Sequence, residues 1–294
     1  MTVQTAPPRP DGAAASYKPG RTLTFATEFR RQFTRRRTQW TLGLLALLPI
    51  VLLIAFKVGG SDNGDGDGGG SFDAMAELGT AGAANFTLFA MLVSSSFLMV
   101  VVFAMFCGDT VAGEASWGSL RYLLATPVPR GRLLSVKLAV ALAYCLLSMV
   151  VLTGMSIVVG GIAYGWGPLR APLGGEIASP EALFRVLAVA GYLAVTLLVV
   201  AGLAFLLSVL TDAPLGAVGG AVLLFIVSNI LDAVTALGDL RDILPTRYTT
   251  AWLGLLSPTA QTDDMVRGIV VGLVYGTVFS ALAFWRFTRK DVTS

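Results

Sequence analysis

The feature that most limits what this chain can fold into is a series of six apolar blocks separated by polar, Gly-rich or Pro-rich segments. They run over 40–57, 86–107, 137–161, 184–210, 213–236 and 267–287. Crossing about 30 Å of hydrocarbon takes roughly 17 to 25 apolar residues of helix. Hydrocarbon offers no partner to a free backbone N–H or C=O, so each block must be helical. The sequence therefore predicts an all-α integral membrane protein with six transmembrane helices. Pro49 is expected to kink the first span. The four residues Thr211–Pro214 leave only a tight turn between spans four and five, with Pro214 placed to open the next helix.

Composition agrees. Hydrophobic residues make up 55% of the chain, charged residues 13%, and mean hydropathy is +0.74. Soluble domains carry about 25% charged residues. The 294 residues leave room for one membrane domain with short loops. The expected organisation is a disordered cytoplasmic tail (1–20), an interfacial amphipathic helix (21–39), a six-span domain (40–287) and a cytoplasmic C-terminal tail (288–294). No signal peptide is expected, because about forty polar and basic residues precede the first apolar block.

In the segment 21–39, at about 100° per residue, Phe25, Phe29 and Phe33 fall on one side with Trp40 in the same sector, opposite Arg31 and Arg35. An aromatic face opposite a cationic one suits a helix lying among lipid headgroups. Arg36 falls on the aromatic face, so the helix is expected to end near it and turn into the bilayer. Lys and Arg then orient the chain. With the N-terminus inside, fifteen of the 21 basic residues lie on the inner side and six on the outer side. Both termini are expected in the cytoplasm, with the protein in the cytoplasmic (inner) membrane.

The residue inventory excludes much chemistry. The chain has no histidine, which removes the Ser-His-Asp triad and His-ligated zinc. Cys107 and Cys145 lie in apolar blocks without CxxC spacing and read as small core residues. The acidic, Gly-rich stretch 59–73 partly echoes a calcium loop but lacks the Glu required at its twelfth position; it reads as a flexible linker. There is no GxxxxGK[ST] phosphate loop. No nucleic-acid partner, metal or bound cofactor is expected, and the chain is not expected to be an enzyme by itself. No span carries a charge near its middle, which weighs against ion-coupled transport. Ser94, Ser95, Ser96, Ser228 and Asn229 remain as a candidate substrate path. Gly216–Gly220 and Gly272–Gly276 have the spacing that lets helices approach closely.

The loop between spans two and three is the most informative segment. Trp117, Leu120, Leu123 and Leu124 line one side of a short amphipathic helix. Pro127 and Pro129 break it, and Arg130, Arg132 and Lys137 lead into span three. The pattern Asp109…Glu114-x-x-x-Gly118-Ser119-Leu120-Arg121-x-Leu123-Leu124-x-x-Pro127-x-x-Arg130-x-x-Leu133-x-x-x-Lys137 resembles the permease subunits of type-2 ABC transporters. That resemblance covers most of the chain. The family commonly has Gly-Thr where this chain has Gly118-Ser119, and Trp117 stands where a polar residue is usual.

The resemblance implies that this segment is a coupling helix, with Glu114, Trp117, Gly118, Ser119, Leu120, Arg121 and Leu124 docking a cytoplasmic ABC ATPase. ATP and magnesium would then be held by that partner subunit. It further implies a homodimeric permease in contact with membrane lipids, exporting a small amphipathic molecule, lipid, peptide or drug. The alternative reading is a non-transporting ABC membrane component that passes ATP-driven motion to an extracytoplasmic partner.

Overall fold

A computed structural model describes residues 24–59, 78–116, 129–171, 175–257 and 260–289. The tail 1–20, the Gly-rich stretch 60–73, residues 117–128 (which include most of the segment 113–126 expected to dock an ATPase) and residues 290–294 lie outside the described residues. The described chain is mostly helical. Five helices are long and apolar enough to cross a bilayer, and a bent pair makes a sixth if counted as one span. The chain is thus a multi-pass membrane protein by the length and composition of its helices.

Helix α1 (Phe25–Phe33) is short and capped by Thr24, whose hydroxyl accepts from the Thr27 N–H at 3.4 Å. It stops at Thr34-Arg35, and α2 (Arg36–Gly59) starts at once, running unbroken through Pro49.

The second apolar block differs from the single span expected. It forms α3 (Ala83–Ser95) and α4 (Leu98–Gly108), bent by 58°. At the break Phe97 has φ −140° and ψ −56°. The cause lies in the preceding serines. Ser94, Ser95 and Ser96 donate to the carbonyls of Ala90, Leu92 and Val93 at 2.6, 3.2 and 3.1 Å. Hydroxyls that bond back to helix carbonyls weaken the ladder and bend it.

After the short α5 (Ala112–Ser116) comes α6 (Arg130–Tyr164). Its 35 residues span about 52 Å, so it outruns the hydrocarbon. A feature not expected in an all-α chain follows: a two-residue antiparallel pair, β1 (Leu169–Arg170) with β2 (Glu176–Ile177). Asn85 of α3 braces it, its amide donating to Arg170 O at 2.9 Å and accepting from Arg170 N at 3.0 Å.

Helices α7 (Ser179–Thr196) and α8 (Leu198–Leu210) form one long apolar span with a local break at Leu197. Pro214 opens α9 (Pro214–Ala233) at its first turn. The chain then makes 3₁₀ turns over Thr235–Ile243 and Ala251–Leu256 and returns through α10 (Asp263–Arg289).

The α7–α8 span is the centre of the bundle. Two thirds (67%) of its most apolar window is buried, against 11% for α2, which lies at the periphery. Helix α10 packs onto the α7–α8 span through glycines. A Cβ on Gly272 would lie 2.7 Å from Val195 O, and one on Gly202 would lie 2.8 Å from Gly276 O. The partner helix of the Gly272–Gly276 pair thus lies in this chain. Gly216 is different: a Cβ there would make only ordinary contacts with its own turn, at 3.7 Å or more.

At the end of the bundle opposite α1, Arg185 gathers the loop before α10. It donates to Ser257 O at 2.9 Å and to Leu255 O, and pairs with Glu181 at 2.6 Å. Trp252 of the same loop is fully buried.

Candidate functional site

The end that carries α1 holds four of the five buried charged side chains among the described residues, Glu28, Asp109, Glu114 and Lys137. Its centre is the turn between α4 and α6, residues 109–116. Two backbone N–H groups at the start of α5, those of Val111 and Ala112, both donate to the Ser208 hydroxyl of α8 at 2.9 Å. Ser208 thus caps a helix that is not its own, satisfying donors that the first turn leaves open. Gly108 lets the turn lie against α9, since a Cβ there would fall 2.9 Å from a Val218 methyl.

Two carboxylates on this turn then reach the amino-terminal helices. Asp109 accepts from Arg35 at 3.1 Å and also from Arg37, so it pins the elbow between α1 and α2. Glu114 accepts from Arg31 of α1 and pairs with Lys137 of α6 at 2.6 Å. Glu28 completes the set. It pairs with Arg31 at 3.0 Å and faces Lys137 at 3.6 Å. Each cation therefore meets both carboxylates, and the four charges form an alternating ring. Glu28, Glu114 and Lys137 are 6%, 5% and 5% exposed. Burial by itself would lower the pKa of Arg31, but Glu28 and Glu114 outweigh it and hold it above its ordinary value. Arg31 therefore stays cationic at any working pH. Removing one partner from a buried ion pair costs about 3–5 kcal/mol, because the other charge is left stranded.

An aromatic layer lies beside the ring. Tyr144 of α6 stacks on Phe29 with centroids 4.6 Å apart and on Phe106 at 5.4 Å, and its hydroxyl donates to Phe29 O at 2.7 Å. Close by, Cys107 and Cys145 are buried with their sulfurs 3.9 Å apart.

The residues singled out in the sequence fall in distinct places. Phe29 packs inward, Phe25 stacks on it at 5.8 Å, and Phe33 and Trp40 are exposed. Glu114 points into the ring and is buried there. Trp117, Gly118, Ser119, Leu120, Arg121 and Leu124 lie outside the described residues. Ser94, Ser95 and Ser96 sit at the α3–α4 break. Ser228 shares a 2.9 Å hydrogen bond with Thr246, and Asn229 donates to its own helix at Phe225 O, 3.1 Å away.

A separate apolar groove of about 330 Å³ opens between α6 and α7, lined by Met149, Thr153, Ile157 and Ala190 among others. The buried Thr153 hydroxyl has no hydrogen-bond partner among the described residues. No group of three or more His, Cys, Asp or Glu side chains there is arranged to hold a metal ion.

Reasoning from sequence missed Ser208, Tyr144 and the role of Glu28. Glu28 was masked by its position: at about 100° per residue it falls with Arg31 and Arg35 on the cationic face of α1, where an acid reads as an ordinary surface ion pair. Nothing local marks Ser208.

No curated protein matches this chain. A family model described as "Protein of unknown function (DUF2705)" matches residues 70–293, taking in α3 through α10 and, from the junction, Asp109, Glu114, Lys137, Tyr144 and Ser208. With most of its length inside that match, the chain belongs to the DUF2705 family.

Proposed function

We propose that this protein is the membrane-spanning permease subunit of an ATP-binding cassette exporter. In this reading it is a homodimer in the cytoplasmic membrane with both termini inside. A separate ATPase subunit, which binds ATP and magnesium, docks on the segment 113–126 as on a coupling helix. The cargo class is a small amphipathic molecule, lipid, peptide or drug, in keeping with spans that carry no charge at mid-depth.

One observation carries the reading. The docking segment leaves from Glu114 and returns to Lys137, and these two side chains pair at 2.6 Å in the buried ring. The helices on either side of the segment, α5 and α6, are thus tied to each other, so motion delivered to one is passed to the other. An apolar segment with pinned flanks, in a chain with no nucleotide-binding motif, is what an external ATPase would need in order to move the membrane helices.

The test is recovery of the ATPase subunit with the purified permease. Trp117, Leu120 and Leu124 would each contribute roughly 1.5–3 kcal/mol when buried in a partner groove. Leu120→Asp with Leu124→Asp should abolish co-purification, because it removes that burial and places unpaired carboxylates in the groove, while membrane insertion is unchanged. Equal recovery from parent and variant would overturn the docking assignment.

A further inference from the structure

We propose that Glu114 is the positioning residue of a four-charge joint that holds α1, the 109–116 turn and α6 as one rigid body. The source of motion acting on that body rests on the permease reading; the joint does not. The ring draws its members from three separate segments, Glu28 and Arg31 from α1, Glu114 from α5 and Lys137 from α6. Glu114 is the one member contributed by the turn, and it meets both cations. The turn itself is held by Ser208 of α8 and by the Asp109 pairs to Arg35 and Arg37. Displacing residue 114 therefore drags α1 and α6 together.

Burial makes the joint stiff. Three of the four side chains are more than nine-tenths buried, so water does not readily replace a broken contact. Such a cluster is a poor source of net stability compared with apolar packing, and its value lies in fixing geometry. The alternating arrangement has a diagnostic consequence. In an isolated pair, exchanging acid and base restores the contact. Here, exchanging residues 114 and 137 would set the new lysine against Arg31 and the new glutamate against Glu28, so the exchange should fail.

The experiment measures the distance between spin labels on cysteines at Arg30 of α1 and Ser135 of α6, both exposed, in a permease lacking Cys107 and Cys145 and reconstituted without any ATPase. The parent should give one narrow distance. Glu114→Gln should lose it, giving a broad distribution. Glu114→Lys with Lys137→Glu should remain broad. Glu114→Asp, which keeps the charge but is too short to reach both cations, should lie between and serves if the glutamine variant does not accumulate.

A distance as narrow in Glu114→Gln as in the parent would overturn the joint. Recovery of the narrow distance by the exchanged double variant would reduce the ring to a simple pair and overturn it equally. Failure of any ATPase to co-purify with the parent permease would sink the permease reading and leave the distance result standing.

Discussion

Glycines in this chain follow two opposite logics, and the difference can be measured. At Gly272 a Cβ would sit 2.7 Å from the Val195 carbonyl oxygen and 3.1 Å from Thr196 Cα, both backbone atoms that cannot swing aside. At Gly154 it would meet nothing within 4 Å. Both positions lie within helices, where Ala is favoured over Gly by roughly 0.5–1 kcal/mol. Gly154→Ala should therefore raise the thermal midpoint of the detergent-solubilised protein slightly. Gly272→Ala should lower it by several degrees, since α10 must move away from the α7–α8 break. Size-exclusion chromatography after heating distinguishes the two. A like response from both variants would mean that the close approach of α10 is not what its glycines serve.

Among the elements, α5 depends most on a neighbour. It has five residues, too few for an isolated helix to be stable, and it persists because Ser208 of α8 receives two of its N–H groups. Ser208→Ala leaves both donors buried without a partner, at about 1–3 kcal/mol each. It should destabilise the protein clearly, whereas Ser135→Ala, at an exposed serine bonded to its own helix at Arg132 O, should be neutral in the same heating assay. Equal midpoints would show that α5 is held by the charge ring alone.

The elements that were legible in the sequence share one property. Helices α2, α6, α9 and α10 are unbroken apolar runs between charges or prolines, and their ends carry local chemistry such as Pro214. The breaks at Ser96-Phe97 and at Leu197 were not legible. The first depends on where serine hydroxyls donate, and the second lies beside Thr196, whose hydroxyl donates to Leu193 O at 3.1 Å where Gly272 and Gly276 pack from α10. The ring was hidden for a related reason. Arg31 and Glu114 are 83 positions apart, so each basic residue read alone looked like part of the positive-inside bias, and their shared carboxylates appear only after the helices have packed.

At the scale of the whole molecule, the two ends of the bundle have different chemistry. The α1 end carries the elbow Arg35-Arg36-Arg37, the buried ring and the basic start of α6. The opposite end carries the β1–β2 pair, the Arg185 cluster and Asp232 paired with Arg241 and Arg247 at 3.4 and 3.6 Å. Basic residues near span ends are retained on the cytoplasmic side during insertion, so the α1 end should face the cytoplasm. Single cysteines at exposed Ser179 and exposed Ser116 sit at opposite ends of the bundle. In a background without Cys107 and Cys145, an impermeant maleimide added to intact cells should label Ser179→Cys and leave Ser116→Cys unmodified until the membrane is opened. Labelling in the reverse order would place the ring and the proposed docking segment on the side that holds no ATP. The charge asymmetry would then need another origin, and the joint at Glu114 could not be driven by a cytoplasmic ATPase.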